Sequence, residues 1–180
     1  MKITSGLYKY RNIEIPKGIR PTTEKVREAV FSIIRDWLPG AVVLDLFAGS
    51  GAMGLEALSR GASKCYFNEI NRQNFKVVSS NVANCKAEEA SIIENLDYKS
   101  CISNKKEKLD IIIMDPPYEE ISYYETAMRL LEESGLIEDG SIVVAEHVYN
   151  NKLLENYGKF IKIKEKKYGT IGVDIFEYQD

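Results

Sequence analysis

The sequence predicts an α/β fold in which a mostly parallel sheet of seven strands carries helices on both faces and ends in an antiparallel hairpin. Short apolar runs alternate with segments of helical periodicity between residues 41 and 145. Repeated strand-helix units of this kind form parallel sheets with right-handed crossovers, and ligands bind at the carboxyl ends of the strands. Two further runs, 159–168 and 170–178, meet at Gly169, which is typical of a hairpin.

The individual elements can be assigned in chain order. Residues 1–20 mix apolar and basic side chains and are expected to form a basic arm or small hairpin. Thr22 and Thr23 offer an N-cap to a leading helix, residues 21–38, in which apolar residues recur at helical spacing. Residues 41–180 then form the core of the fold. Its predicted strands cover 41–46, 64–68, 90–93, 109–114, 141–145, 159–168 and 170–178, and its predicted helices cover 52–60, 71–84, a weak segment after residue 97, and 121–134.

Chain length and composition indicate a single soluble domain over residues 1–180. The chain is 44% hydrophobic and 28% charged, and a domain of this length buries most of its apolar surface. No apolar run is long enough to cross a bilayer and the N-terminus does not resemble an export signal, so we expect a cytoplasmic protein without a membrane partner. Three cysteines, Cys65, Cys85 and Cys101, lack C-x-x-C spacing, which predicts neither a disulfide framework nor a zinc site.

Charge is distributed unevenly along the chain. The formal net charge is −3, yet residues 1–27 contain seven basic and two acidic residues and carry +5. The remainder is therefore acidic, at about −8. A basic leading segment on an acidic body favours contact with a polyanion such as nucleic acid, although a solvated surface segment would carry the same charge.

A glycine-rich turn lies at the centre of the predicted core. Residues 42–54, V-V-L-D-L-F-A-G-S-G-A-M-G, are predicted to form a strand, a turn and the start of a helix. Gly49 and Gly51 lack the Cβ atoms that would keep a ligand from the backbone, and the first amides of a helix are unpaired donors. Together with Gly54 and Glu69, these glycines also match the G-x-G-x-x-G pattern of dinucleotide-binding folds.

Asp45 decides between the two ligands that this turn suggests. It lies inside the first core strand, just before the turn, where its carboxylate would repel a pyrophosphate and attract a cationic amine or sulfonium. S-adenosylmethionine carries both cations and has no phosphate, so it is the expected cofactor. Four acidic residues are predicted at or near strand ends along the same edge of the sheet: Asp45, Glu69, Asp97 and Asp115.

Asp115-Pro116-Pro117-Tyr118 follows the fourth predicted core strand. Two consecutive prolines fix φ and remove two backbone donors, so the loop presents carbonyl oxygens and a carboxylate. A ligand that complements these acceptors is a base with a planar exocyclic amine. Its two N–H groups can donate to Asp115 and to the carbonyl of Pro116, while Tyr118 stacks on the ring. The alternative interpretation of these four residues is a purely structural turn, in which the prolines end a buried strand and Tyr118 packs against the protein.

At this point the chain resembles a known group of enzymes. D-L-F-A-G-S-G at 45–51 and D-P-P-Y at 115–118 resemble motifs of the class I S-adenosylmethionine-dependent amino methyltransferases. R-P-T-T-E-K-V-R-E-A-V-F at 20–31 and G-L-E-A-L-S-R-G-A at 54–62 narrow the resemblance to the RsmD-type 16S rRNA guanine-N2 methyltransferases of bacteria. The resemblance covers nearly the whole chain. It implies a three-layer Rossmann-like fold and methylation of guanine N2 by a monomer acting on 16S rRNA, either free or within a partly assembled small subunit.

The resemblance also implies roles for individual residues. The family pattern places the cofactor's ribose on Glu69 and its adenine against Ile70. A third contact, normally an aspartate, falls on Leu96, with Asp97 beside it, so either of these two residues meets the adenine. The remaining cofactor-binding residues are Asp45, Phe47, Ala48, Gly49, Ser50 and Gly51, the catalytic residues are Asp115, Pro116, Pro117 and Tyr118, and the expected RNA-binding residues are Lys9, Arg11, Lys17, Arg20 and Thr22.

The expected chemistry requires no metal. Asp115 and Pro116 would hold the guanine amine with its lone pair aimed at the methyl group, and Asp115 would stabilise the charge that develops on nitrogen. The alternatives are a DNA adenine-N6 methyltransferase, a nicotinamide dehydrogenase that uses the three glycines, and a non-catalytic RNA-binding protein. His147, the one histidine, is expected to be a surface or satisfied residue rather than a catalytic one.

Overall fold

The described residues form an eight-stranded sheet flanked by helices. The computed structural model describes residues 1–117 and 120–180. In chain order the strands are β1 (Val42–Asp45), β2 (Lys64–Asn68), β3 (Ser91–Glu94), β4 (Ile111–Met114), β5 (Ile142–Val148), β6 (Asn156–Tyr157), β7 (Phe160–Tyr168) and β8 (Ile171–Tyr178). Their order across the sheet is β3-β2-β1-β4-β5-β8-β7-β6. The pairs among β1 to β5 are parallel, whereas β8, β7 and β6 are added antiparallel.

The predicted fold class is confirmed, with one correction to the number of strands. All seven predicted strands are present, and β7 and β8 form the expected hairpin. The eighth strand, β6, contains only two residues and pairs with the start of β7 at the sheet edge. Two residues are too few to produce the alternation of apolar and polar side chains from which strands are recognised.

The sheet separates two hydrophobic clusters, which gives the three-layer arrangement. The helices are α1 (Glu24–Ile33), α2 (Ala52–Ser59), α3 (Arg72–Asn84), α4 (Tyr98–Ser103) and α5 (Ser122–Ser134). Side chains of α1, α2 and α3 share one cluster with alternate strand residues such as Val43 and Ile113. Side chains of α4 and α5 share the other with the intervening residues, such as Leu44 and Ile112. Within the described part of the chain, no helix has the length and apolarity that crossing a membrane would require.

Residues 1–13 form a small hairpin that is packed into the fold. Lys2 and Asn12 make an antiparallel bridge, and Ile3 and Ile13 are buried in the first cluster. The carboxylate of Glu56 in α2 accepts hydrogen bonds from the backbone and the hydroxyl of Thr4. The hairpin is therefore anchored to α2, and the chain that follows it crosses this face of the sheet before α1 begins.

Candidate active site

Three carboxylates lie side by side at the carboxyl edge of the sheet. Asp45 ends β1 and is the register partner of Ile113 in β4, two residues before Asp115. Glu146 of β5 lies beside Asp115, because the residues that precede them are partners in the parallel pairing of β4 with β5. Since side chains alternate along strands, all three carboxylates project to the face that carries α1 and α2.

Asp45 is buried and bonded to the helix that follows it. Its side chain is 3% exposed, and Oδ2 accepts a hydrogen bond of 3.1 Å from the backbone N–H of Gly54. Burial, together with the nearby carboxylate of Glu69, raises the pKa of Asp45 to about 7, although the Gly54 bond opposes the shift.

The first-turn amides of α2 are less available than the sequence suggested. Besides the bond from Gly54 to Asp45, the N–H of Ala52 donates to Oγ of Ser50 at 3.2 Å. The prediction of unpaired donors is thus wrong for these two amides, because side chains within the motif itself cap the helix. The helix therefore has fewer free N–H groups to bind an anion. The carboxylates of this edge favour a cationic ligand instead.

The glycine turn adopts backbone conformations that favour glycine. Gly49 and Gly51 have φ values of +60° and +84°. A Cβ on Gly49 would lie 3.5 Å from Ile19, so the segment after the N-terminal hairpin passes over the turn. Gly54 has a different role, because a Cβ there would lie 2.4 Å from the ring of Phe67. Gly54 therefore allows α2 to pack closely on the sheet.

Glu69 and Ile70 form the second part of the cradle. The two carboxylate oxygens of Glu69 accept hydrogen bonds from the N–H groups of Gly49 and Asn71, at 2.9 and 2.8 Å. Glu69 thereby connects the glycine turn to the start of α3. The neighbouring Ile70 is 62% exposed although it is apolar. The carboxylate of Glu69 can accept hydrogen bonds from hydroxyl groups, and the exposed side chain of Ile70 can pack against a flat ring.

Leu96 and Asp97 lie between β3 and α4, and they differ in their hydrogen-bond partners. The backbone of Leu96 exchanges two hydrogen bonds with the side-chain amide of Asn68, at 3.2 and 2.9 Å. Asp97 is the N-cap of α4, and its carboxylate accepts from the N–H and the hydroxyl of Ser100 at 3.0 and 2.6 Å. These bonds lower the pKa of Asp97. Its carboxylate is thus engaged in the helix cap.

An aromatic cluster, which sequence reasoning missed apart from Phe47, lies next to the turn. The ring centroid of Phe47 is 5.6 Å from that of Tyr98 and 6.0 Å from that of Tyr123, and the two tyrosines are 5.1 Å apart. Such tilted and edge-to-face contacts stabilise ring positions. Tyr98 begins α4 and Tyr123 lies in α5, so no local pattern could have indicated the cluster.

The diproline loop carries the third carboxylate. Asp115 is partly buried, Pro116 is buried and Pro117 is exposed, whereas Tyr118 lies outside the described residues. Burial raises the pKa of Asp115 well above its usual value, the carboxylates of Glu146 and Asp45 raise it further, and Arg20 opposes the shift. The loop therefore places the Asp115 carboxylate among the other acidic side chains of this edge.

Glu146 is the site residue that sequence reasoning did not identify. Its Oε2 accepts a hydrogen bond of 2.6 Å from Oγ1 of Thr22, and Arg20 lies close enough to lower its pKa against the effect of burial. The sequence contains only a weak indication of this role, since Glu146 directly follows the strand that is predicted to end at Ala145. The partner, Thr22, is 124 residues away in the chain.

The five expected RNA-binding residues are divided between two regions. Arg20 and Thr22 lie at the carboxyl edge beside the carboxylates, and the exposed Lys17 precedes them. Arg11, in contrast, donates to the carbonyl at the C-terminal end of α3 at 3.4 Å. Lys9 belongs to the same hairpin, so Lys9 and Arg11 are at the opposite edge of the sheet from the site.

His147 belongs to a buried charged cluster on the other face of the sheet. Its Nε2 lies 3.2 Å from Oδ1 of Asp174, and Lys162 Nζ lies 3.2 Å from Oδ2 of the same carboxylate. Gly172 makes room for the ring, since a Cβ there would lie 2.6 Å from it. Its Nδ1 lies 2.8 Å from the carbonyl oxygen of Val148. His147 is therefore buried rather than at the surface, and its contacts join β5 to the β7–β8 hairpin.

No arrangement suited to a metal ion is present among residues 1–117 and 120–180. A group of three or more histidine, cysteine, aspartate or glutamate side chains with ligand geometry does not occur there. The three cysteines are buried and free.

Comparison with known proteins assigns the chain to a family. A model described as "Conserved hypothetical protein 95" matches residues 1–177. "Putative rRNA methyltransferase YlbH" of Bacillus subtilis is 33% identical over 182 residues, covering 98% of each chain. "Ribosomal RNA small subunit methyltransferase D" of Escherichia coli K12 is 31% identical over 179 residues, covering 98% of this chain and 89% of the other.

The fold has a solved counterpart as well. The structure of "Putative methyltransferase yhhF from Escherichia coli" superposes with a TM-score of 0.89 at 28% identity, covering 100% of this chain and 98% of that one. The Rossmann-like methyltransferase fold and the family resemblance carried by the motifs at 20–31, 45–51, 54–62 and 115–118 are both confirmed. The chain belongs to the conserved hypothetical protein 95 family, which is the RsmD-type group.

Proposed function

We propose that this protein is an S-adenosylmethionine-dependent methyltransferase that modifies the exocyclic N2 amine of a guanine in 16S rRNA. One observation carries the proposal: the glycine turn and the diproline loop follow adjacent, paired strands, β1 and β4. A methyl donor held by the turn and an amine held by the loop would therefore meet at one edge of the sheet. The names of the relatives from Bacillus subtilis and Escherichia coli support an rRNA substrate.

The residues of the cradle fit the cofactor. Glu69 presents a carboxylate for the ribose hydroxyls, and the exposed Ile70 offers an apolar surface for the adenine. The glycine turn allows close approach of the methionine part, and the acidic edge favours its cationic groups. We keep Leu96 and Asp97 as the two candidates for the adenine contact. The turn itself contributes Asp45, Phe47, Ala48, Gly49, Ser50 and Gly51.

The protein's contribution to the reaction is to position the amine. S-adenosylmethionine, when bound, supplies a methyl group attached to a positively charged sulfur. The carboxylate of Asp115 and the carbonyl of Pro116 accept the two N–H groups of the guanine amine, which directs its lone pair out of the ring plane. Asp115 stabilises the positive charge that develops on nitrogen, and the proton then leaves to Asp115 or to water. The stacking of Tyr118 on the base, worth about 1–3 kcal/mol, stays a prediction.

A basic surface next to the site suits the RNA backbone. Nη2 of Arg20 lies 3.5 Å from Oγ1 of Thr170, in the turn between β7 and β8. Three lysines of that hairpin are exposed: Lys164, Lys166 and Lys167. Lys164 and Lys166 pair with Ile175 and Val173 and so project to the face that carries α1, whereas Lys167 lies over the ring of Tyr149 on the other face. We propose that Lys164 and Lys166 extend the surface of Lys17 and Arg20, so that phosphates on either side of the target guanine are bound. Lys9 and Arg11 would contact only an RNA that reaches the opposite edge.

The physiological setting follows from the same proposal. The substrate is 16S rRNA, either free or within a partly assembled small ribosomal subunit, and the enzyme acts as a monomer in the cytoplasm. A core that occupies residues 41–180 would then carry the whole reaction, with residues 1–20 as a folded extension and residues 21–38 covering the site.

Methyl transfer from tritiated S-adenosylmethionine tests the function directly. The purified protein is incubated with 16S rRNA, with small subunits from a strain that lacks the corresponding gene, and with DNA. Nucleoside mass spectrometry then identifies the product. N2-methylguanosine in 16S rRNA is expected. N6-methyladenine in DNA, or no incorporation together with calorimetric binding of NAD but not of S-adenosylhomocysteine, would overturn the proposal.

A further inference from the structure

Glu146 is a partly buried carboxylate at the site that the mechanism above does not use. It is held from both faces of the sheet. Thr22 donates to its Oε2 at 2.6 Å from the side of α1, and the hydroxyl of Tyr124 in α5 donates to its backbone carbonyl. Both the side chain and the backbone of Glu146 are thereby fixed beside Asp115.

The carboxylate of Glu146 retains the capacity to accept further hydrogen bonds. An ionised carboxylate has about four lone-pair positions, and the bond to Thr22 uses one of them. Burial raises the pKa of both Asp115 and Glu146, and the neighbouring Arg20 opposes that rise. A base that brings N–H donors to both groups favours their ionised forms, and the two side chains then present a row of acceptors.

A row of acceptors distinguishes guanine from adenine. The Watson–Crick edge of guanine carries its N1–H next to the N2 amine, so two adjacent groups are donors. Adenine carries an unprotonated N1 next to its N6 amine, and this N1 would face a carboxylate with no hydrogen between them. Sites that read an extruded base do so through this edge.

We propose that Glu146 accepts the N1–H of the target guanine while Asp115 and Pro116 accept its N2 amine, so that Glu146 is the residue that selects guanine. The inference rests on the proposed function and deepens it, since it assigns a specificity determinant to the same site. Thr22 acts as a positioning residue, because it orients the Glu146 carboxylate without contacting the base.

Base analogues at the target nucleotide test the assignment. 2-Aminopurine keeps the 2-amino group but has an unprotonated N1, whereas inosine keeps the N1–H but lacks the amine. For the wild-type protein we expect kcat/KM for methyl transfer to be about 10- to 100-fold higher with guanine than with 2-aminopurine. RNA with inosine is expected to compete with the guanine substrate without being methylated.

Replacement of the carboxylate changes that preference in a defined direction. The amide of Glu146→Gln can turn its NH2 group toward an unprotonated N1, so the preference for guanine is expected to fall to about 5-fold or less. Thr22→Val, which frees the carboxylate without removing it, is expected to lower the preference by a smaller factor through a higher KM. Glu177→Gln serves as the matched control, since Glu177 pairs with Ile142 at the opposite end of β5 and should leave the preference unchanged.

The preference ratio separates this role from a structural one. If Glu146 only supported the fold, Glu146→Gln would lower the rates for guanine and 2-aminopurine by the same factor, which would overturn the inference. Calorimetry with S-adenosylhomocysteine shows whether each variant is folded. If Glu146→Gln does not fold, the preference ratio of Thr22→Val provides the test instead. Absence of N2-methylguanosine with the wild-type protein would overturn the proposed function itself, whereas N2 methylation with an unchanged ratio would overturn the role of Glu146 alone.

Discussion

Thr22 Oγ1 donates a hydrogen bond of 2.6 Å to Oε2 of Glu146 and so joins the leading segment to the carboxyl end of β5. With Arg20 beside it, this contact closes one side of the acidic edge formed by Asp45, Asp115 and Glu146. Residues 20–31, one of the segments that carry the family resemblance, therefore begin at the site itself. The segment connects the two functions that we assign to this edge, the selection of the base and the contact with RNA.

The buried carboxylate of Asp45 is expected to make stability depend on pH. Its pKa is about 7 in the folded protein and about 4 in the unfolded chain, so folding favours the protonated form. The contribution of this group is fully present below pH 4 and is lost as the pH rises to about 7. The free energy of unfolding of Asp45→Asn, relative to wild type, should therefore rise over this range, by up to about 4 kcal/mol.

Urea unfolding at pH values from 4 to 8 checks this prediction. The difference between the two proteins isolates Asp45, because other titrating groups are common to both. The Asn side chain retains an oxygen that can accept from Gly54. A constant difference across the pH range would contradict the raised pKa of Asp45.

The N-terminal hairpin is expected to depend on a buried ion pair. Nε of Arg27 lies 2.8 Å from Oε1 of Glu56, and both side chains are 0% exposed. Glu56 also pairs with Arg60, whose Nε lies 3.0 Å from Oε2. Glu56→Gln leaves the buried guanidinium of Arg27 without its partner and should destabilise the protein by about 3–5 kcal/mol, whereas Arg27→Met leaves Glu56 paired with Arg60 and should cost about 1.5–3 kcal/mol. Chemical denaturation measures the loss.

An exposed pair supplies the control for this experiment. Arg129 and Glu133 form an ion pair of 3.3 Å on the surface of α5. Arg129→Met should change stability by no more than about 0.5 kcal/mol. Equal effects of the Arg27 and Arg129 substitutions would show that the buried pair does not anchor the hairpin.

The basic surface of the β7–β8 hairpin is expected to bind RNA phosphates. Combined replacement of Lys164 and Lys166 by alanine should weaken RNA binding and reduce the slope of log K against log salt concentration, by about 0.7 for each phosphate contact that is lost. Fluorescence anisotropy over a series of salt concentrations measures the slope. S-adenosylhomocysteine affinity serves as the control, since these exposed side chains lie outside the cradle.

The two remote cations provide the comparison. Lys9 and Arg11 lie at the opposite edge of the sheet, so their replacement should reduce the salt slope less than the hairpin substitutions do. Lys17, near Arg20, should behave like the hairpin lysines. A larger effect of Lys9 and Arg11 would place the RNA along the N-terminal hairpin, as the distribution of charge in the sequence suggested.

Much of the fold could be predicted because its elements have local signals. The predicted helix 121–134 corresponds to Ser122–Ser134, and the predicted strand 90–93 corresponds to Ser91–Glu94. Apolar periodicity defines both, and glycine marks the turns. β5 extends three residues beyond its predicted end, and these residues include Glu146 and His147, whose burial depends on partners far away in the sequence.

The candidate site divides in the same way. Gly49, Gly51 and Asp115 could be identified because each belongs to a short motif with a physical reason for its residue types. The hydrogen bonds from Gly54 to Asp45 and from Ser100 to Asp97 could not be predicted. A motif does not specify which N–H groups donate to a carboxylate. Tertiary contacts decide those partners.

Single-turnover methyl transfer by Asp115→Ala tests the central claim most directly. With S-adenosylmethionine and 16S rRNA in excess of their dissociation constants, the variant should transfer methyl groups at least about 100-fold more slowly than wild type, because the amine is no longer held and its developing charge is not stabilised. Calorimetry should find the affinity for S-adenosylhomocysteine retained. Transfer at the wild-type rate would contradict the account, since the diproline loop would then have no part in holding the amine.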